Sequence, residues 1–330
     1  MITTTTIVRV GTAESRGPGA ARGELRVGDT PDGEAITIPV AIVRGAAAGP
    51  VLWLHGCVHG DEYCGAFIIH EVLRTTDPAR LSGAVVALPM LNITASHRGQ
   101  RMSPFATFGY GDLNRCFPGT PDGAFTDQMA YAIYGELRRS ADYFIDFHTA
   151  FTPDTRWALF ANAPGEVGKK SEGMARAFGL KSTLPAPMDI LGGSSMIAAA
   201  RDGIPSLIVE MGGIGPAFEA DTVREGAERL RNVMRHLRML QEAPTDHGPL
   251  TYFSNFAWVN ATRGGLFEPA TRCGERIDKG TPVGRYVSAH GEIVEEVASP
   301  HAGIVLALHP GPAMATGDVL VHIGLDPREV

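Results

Sequence analysis

The chain has 330 residues, 44% hydrophobic and 20% charged, which excludes a disordered or fibrous protein and leaves ample material for a buried core. Its formal charge of −7 argues against nucleic acid as a partner, because phosphate binding needs clustered Lys and Arg. No run reaches the roughly eighteen apolar residues of a membrane span. The start, MITTTTIVRVG, lacks the basic-then-apolar pattern of a signal peptide, and four cysteines without a CxxC pair read as free thiols, so the cytoplasm is the expected location.

Residues 1–35, rich in Thr, Gly and Arg with turn signals at Gly17-Pro18-Gly19 and Asp32-Gly33, are expected to form an irregular β start. The runs at 36–43 and 50–54 are apolar and β-rich, the second ending at His55-Gly56. Asp61 opens a helical pattern with Phe67, Ile68, Val72 and Leu73 at helical spacing. Ala84 to Leu91 is a further apolar run, followed by polar, Gly-rich sequence to Gly123. Residues 127–139 predict an amphipathic helix with Met129, Ile133 and Leu137 on one face, then a strand from Tyr143 to Phe147 ending at His148. Trp157 to Ala161 and Ser206 to Val209 read as buried strands, with helices near 166–178 and 221–241. This alternation predicts an α/β layer fold on a largely parallel or mixed sheet. From Gly248 onward the helical period vanishes and Gly and Pro punctuate short β-like runs. The expectation is therefore two domains, 1–244 and an all-β domain at 245–330.

The densest chemical signal is Gly56-Cys57-Val58-His59-Gly60-Asp61-Glu62, which lies between a buried strand and a helix, where open α/β sheets place ligands. His59 and Glu62 form an H-x-x-E pair whose imidazole and carboxylate can converge on one ion. Catalytic zinc takes three protein ligands from such residues and keeps a position open for water. His148 ends an apolar strand at the same edge of the sheet and is the candidate third ligand. Asp146, two residues earlier on the same strand face, is placed to orient a ligand imidazole. Gly111 to Gly119 is a Gly- and Pro-bounded loop carrying Asn114 and Arg115, and Arg has a planar fork suited to a carboxylate. Glu210 emerges from a buried strand, a costly place for a carboxylate without a partner or a task.

In this order, His-Gly-Asp-Glu, Asp-Leu-Asn-Arg-x-Phe-Pro-Gly, Asp-Phe-His and Glu-Met-Gly resemble the motifs of the succinylglutamate desuccinylase/aspartoacylase family, over roughly residues 36 to 325. The resemblance implies a three-layer zinc-carboxypeptidase-like domain with a mixed central sheet, plus a small C-terminal all-β domain. It implies one Zn²⁺ per chain held by His59, Glu62 and His148, Asn114 and Arg115 gripping the substrate carboxylate, and Glu210 as general acid/base. Arg101 matches the upstream Arg that polarises the carbonyl. Arg98 is its rival, because the stretch from Phe105 to Gly111 is longer than the family pattern. Cys57 stands where the family often has Gly. The implied reaction is removal of an acyl group from a small N-acyl amino acid, by a homo-oligomer (a dimer or tetramer) that binds neither nucleic acid nor membrane.

Two other readings compete: a metallocarboxypeptidase or esterase acting on a C-terminal residue, and a non-catalytic ligand-binding protein. The presence of all three ligand candidates plus Glu210 opposes the second. His55 is expected in the pocket wall or the core, since Gly56 and the preceding strand preclude a zinc-binding helix shared with His59. His70 is expected to pack and His97 to lie on the surface. Ser299 to Val305 and Gly317 to Leu320 resemble the hairpins of biotinyl and lipoyl carriers. The only Lys after residue 181 is Lys279, outside that pattern, so a carrier-like fold without the carrier function is expected. Such a domain would shape or lid the active site, or contribute subunit contacts.

Overall fold

A computed structural model describes residues 1–3, 6–105 and 111–330; most of the stretch between Phe105 and Gly111 that the sequence marks as long lies outside the described residues. The chain opens with β1 (Val8–Val10), β2 (Ala13–Ser15), β3 (Gly19–Asp29), β4 (Ala35–Arg44) and β5 (Ala47–Gly56). It continues through α1 (Cys64–Thr75), β6 (Ser82–Leu88), α2 (Ile93–Ser96), α3 (Phe125–Ser140), β7 (Tyr143–His148) and β8 (Arg156–Ala161). Next come α4 (Glu166–Phe178), β9 (Ser182–Ala186), α5 (Ser195–Arg201), β10 (Ser206–Met211), α6 (Ala220–His236) and β11 (Thr251–Tyr252). The remainder is all β: β12 (Asn255–Asn260), β13 (Gly265–Pro269), β14 (Arg276–Ile277), β15 (Pro282–Val287), β16 (Ile293–Ala298), β17 (Gly303–Leu308), β18 (Ala313–Met314), β19 (Val319–Leu325) and β20 (Arg328–Glu329).

Ten strands form one mixed sheet in the order β20-β11-β9-β8-β10-β7-β5-β6-β4-β3. At its centre β6, β5, β7 and β10 run parallel, and β8 joins β10 antiparallel. Such strands are buried on both faces, which is why they read as unbroken apolar runs. The expected irregular start is corrected here. Within residues 1–35, β3 is an eleven-residue strand whose Leu25 and Val27 turn inward, and it pairs antiparallel with β4. Its small and charged residues hide the two-residue period from a sequence reading. The sheet also recruits β11 and β20 from beyond residue 245, because β11 hydrogen-bonds to β9 and β20 returns to β11. The other C-terminal strands make two four-stranded sheets, β12-β19-β17-β14 and β16-β15-β13-β18.

Side-chain alternation sorts the sheet into two faces. Leu52, Leu54, Ile145, Phe147, Leu207 and Val209 pack under α1, α4 and α6. Trp53, Phe144 and Ile208 face the other way, toward α3 and α5. On that second face the same period places His55, Asp146, His148 and Glu210. The three polar strand ends therefore share one edge and one face before any side-chain contact is considered. The turn from β5 to α1 presses close to α2, since a Cβ at Gly60 would collide with the Ala95 backbone. Cys57, in the same turn, holds φ +52, a left-handed conformation that glycine adopts without strain. Two helix boundaries differ from expectation. α1 begins at Cys64 rather than Asp61 because the turn occupies the residues between, and α6 ends at His236, with Arg238 at φ +58 closing it.

His55 is fully buried, its ring 4.7 Å from that of Phe144 and also near Trp53 and Phe117, and neither ring nitrogen has a hydrogen-bond partner among the described residues. It belongs to the core and not to the pocket wall. Burial pushes its pKa down to about 4. The unfolded chain, with an ordinary histidine, therefore binds more protons between about pH 6.5 and 4, so stability falls as pH drops through that window. A urea titration at pH 7.5 and pH 5 should show His55→Phe losing about 2 kcal/mol less than the wild type on acidification. Equal acid losses in both would show that His55 is solvated.

Candidate metal centre and active site

His59, Glu62 and His148 converge at the carboxyl ends of β5 and β7, only 2–3% exposed, with one potential ligand atom from each lying within 4.8 Å of the others. His59 Nδ1 is 2.7 Å from Glu62 Oε1, and His148 Nδ1 is 2.9 Å from Glu62 Oε2. The two Nδ1 atoms face each other at 3.2 Å. The Thr149 backbone N–H donates to Glu62 Oε2 and fixes the carboxylate.

The outward nitrogens are held as well. His59 Nε2 lies 3.0 Å from Asp112 Oδ1, and His148 Nε2 lies 3.2 Å from Asp146 Oδ2. A carboxylate on each Nε2 keeps the proton there and turns both Nδ1 lone pairs inward, the arrangement that prepares imidazoles for a metal. Two such lone pairs at 3.2 Å repel unless positive charge lies among them, so the donor set fits a divalent cation, and two imidazoles with a carboxylate suit zinc. Burial alone would raise the Asp112 carboxyl, but its hydrogen bond to His59 holds it well below the usual carboxylate range. Burial alone would lower His148, and the Asp146 and Glu62 carboxylates more than reverse this, a sign of how strongly the cluster draws positive charge.

Asp146 is anchored in turn by the Ser195 hydroxyl, which donates to Oδ2 from the first turn of α5. Asn114 is buried in a 3₁₀ turn, Leu113–Arg115, started by the Asp112 side chain accepting from the Asn114 N–H. Its Oδ1 accepts from the Ser195 N–H at 3.2 Å. Its Nδ2 comes within 3.4 Å of His148 Nε2; because that nitrogen already carries a proton directed at Asp146, the approach is a contact and the amide protons stay available to a ligand.

Arg101 reaches the cluster, donating to Glu62 Oε1 at 3.2 Å and Asp112 Oδ2 at 3.3 Å. Its rival Arg98 is exposed and does not line the pocket. Arg115 donates to the Asn114 carbonyl and forms no ion pair among the described residues, although it lines the same pocket. Glu210 sits opposite His148 in the β10–β7 register, and its Oε2 is buried with no hydrogen-bond partner among the described residues. Burial pushes its pKa up to about 7, with the His148 charge opposing. A pocket of about 420 Å³, within the range of small-molecule sites, is lined by His59, Glu62, His148, Arg101, Asp112, Asn114, Arg115 and Glu210, whereas Asp146 and Ser195 lie behind it. Strands β12 and β19 close its far side with Phe256, Trp258 and His322. Sequence reading gave no role to Asp112, Ser195 or these aromatic residues. Asp112 begins a recognised motif, but nothing local reveals that it meets His59, 53 positions away.

The model of the succinylglutamate desuccinylase/aspartoacylase catalytic domain matches residues 48–237. N-alpha-acetyl-L-2,4-diaminobutyric acid deacetylase of Halomonas elongata is 25% identical over 301 residues, 88% of this chain and 86% of the relative. The crystal structure of a succinylglutamate desuccinylase/aspartoacylase from Rhodobacter sphaeroides superposes with TM-score 0.78 at 27% identity, covering 96% of this chain and 97% of that one. The product-bound ectoine utilization protein EutE (DoeB) of Ruegeria pomeroyi shares the fold with TM-score 0.82 at 24% identity, covering 98% and 100%.

If Asp112 fixes the His59 ring, Asp112→Asn should lower zinc affinity about 10–100-fold in competition with a chromogenic chelator, while Arg98→Ala leaves it unchanged. Equal affinity in Asp112→Asn and the wild type would show that the His59–Asp112 contact does not support metal binding.

Proposed function

The chain belongs to the succinylglutamate desuccinylase/aspartoacylase family and is a hydrolase of amide bonds; from that premise we propose that it removes the acyl group from a small N-acyl amino acid, using one zinc ion held by His59, Glu62 and His148. The observation that carries this reading is the buried triad faced, across one pocket, by an oxygen of Glu210 that has no hydrogen-bond partner among the described residues. Zinc bound at the triad supplies Lewis acidity toward a water molecule and the scissile carbonyl.

The remaining work falls to the chain. Glu210 takes the proton of the attacking water and delivers it to the amide nitrogen as the C–N bond breaks, giving a carboxylate and a free amine. Burial raises this carboxyl above the usual carboxylate range, which suits a group that must both take and return a proton. Arg101 lies beside Glu62 and stabilises the negative charge that develops on the carbonyl oxygen, an effect worth about 3–4 kcal/mol for a well-placed donor. Arg115, with the free amide protons of Asn114, holds the substrate carboxylate and fixes the scissile bond beside the triad. Closure of the pocket by β12 and β19 favours a small N-acyl amino acid over a peptide. The same reading takes the protein as a cytoplasmic homo-oligomer, divided near residue 245 into a catalytic domain and a C-terminal domain without a carrier lysine. None of its described helices is long and apolar enough to cross a membrane.

Purified protein should hydrolyse N-acetyl amino acids and lose that activity on removal of metal with a chelator, regaining it with zinc. Glu210→Gln should lower kcat by a factor of about 10² or more while binding zinc as the wild type does. A Gln variant that turns over at the wild-type rate would remove Glu210 from the chemistry. Arg115→Ala should act mainly by raising KM.

A further inference from the structure

The pocket has two chemically different ends. One gathers its charge: Glu62, Asp112, Glu210, Arg101 and Arg115 beside the histidines. The other is built from rings. Trp157 stands directly opposite Glu210 in the β8–β10 register, so this wall begins one strand away from the proposed acid/base. The His322 ring meets Trp157 edge-on at 5.3 Å, Phe256 at 4.9 Å and Trp258 at 5.7 Å. Phe256 and Trp258 stack at 6.4 Å, and Trp258 is the cross-strand partner of His322. The two-residue period of β12 turns Phe256 and Trp258 toward the pocket while Val259 enters the core of the C-terminal sheets. Leu159 and Ile208 complete the floor.

This end carries no charge. Burial pushes the His322 pKa down to about 3, so the ring is neutral at any working pH. No acid, Lys or Arg lines it among the described residues, and the sequence of residues 106–110 contains none. A substituent bearing a second carboxylate or an ammonium would lose water there and meet no opposite charge. An uncharged ring or branched chain would bury apolar surface against the ring faces and edges.

Building on the deacylase reading, we propose that this end is the specificity subsite for an uncharged aromatic or branched apolar substituent of the substrate, set by β12 and β19. The substituent belongs either to the amino acid or to the acyl group. In this the chain differs from the Halomonas relative, whose named substrate is an acetylated diamino acid.

The test measures kcat/KM of the zinc-loaded enzyme on N-acetylphenylalanine, N-benzoylglycine, N-acetylglycine, N-acetylaspartate and Nα-acetyl-2,4-diaminobutyrate. At least one aromatic compound should exceed N-acetylglycine and both charged compounds about tenfold or more. Whether N-acetylphenylalanine or N-benzoylglycine leads tells which side of the amide enters the subsite. Trp258→Ala, at a position 54% exposed, should reduce that preference several-fold, chiefly through KM. Charged substrates that match or exceed the aromatic ones, including an ammonium held over the rings, would overturn the subsite and leave the deacylase reading intact. So would a preference that survives Trp258→Ala. Calorimetric titration of Glu210→Gln with the same compounds separates binding from turnover. If no compound is hydrolysed by the wild type, the deacylase reading falls. Tighter binding of the aromatic compounds would still support the subsite, and equal binding of all would overturn it.

Discussion

Two imidazole nitrogens facing each other at 3.2 Å in a site 2–3% exposed are unstable company unless positive charge sits among them. The carboxylates around them deepen that demand, and Arg101 meets only part of it from the side of Glu62 and Asp112. Asp112 and Asp146 hold the far side of each ring, Glu62 closes the third corner, and Glu210 waits across the pocket with an unshared oxygen. Burying so many carboxylates is tolerable only where a cation balances them. The fold accordingly brings the ends of β5, β7 and β10 side by side, with Glu210 in register with His148 and Asp146 in register with His55.

Much of this was legible in the residues, because parallel buried strands are short apolar runs and a polar residue at the end of one stands out. Tyr143 to His148 and Ser206 to Glu210 showed both the strand and the residue of interest at its end. The helix at 166–178 matches the observed α4 at both ends, since Gly165 precedes it and Gly179 closes it in a left-handed conformation. What stayed hidden depends on contacts distant in sequence. Ser195 reaches Asp146 across 49 positions, and a serine at the start of a short helix has no periodic signal to announce a partner. The regularity and length of β3, within a start expected to be irregular β, stayed hidden for another reason: its side chains are largely small or charged, and its order comes from pairing with β4 rather than from burial.

The C-terminal strands show how one period serves two environments. In β12 alternate residues supply the core of their own sheets and the wall of a pocket whose chemistry lies on another sheet. Short Gly- and Pro-punctuated runs identified the strands without revealing which face would meet the rest of the molecule. The division that results puts the charged side chains near His59 and the rings of β12 and β19 near His322, on a different sheet from the buried cluster. Structural relatives at 24–27% identity keep the fold over nearly the whole chain, so the frame tolerates extensive sequence change.

The central claim is that His59, Glu62 and His148 together hold a divalent ion. Elemental analysis of the purified protein beside a Glu62→Ala variant tests it most directly. The account predicts about one zinc per chain in the wild type, lost in the variant, with the variant still folded by circular dichroism. A wild type that contains no metal and takes up none when zinc is added would contradict it.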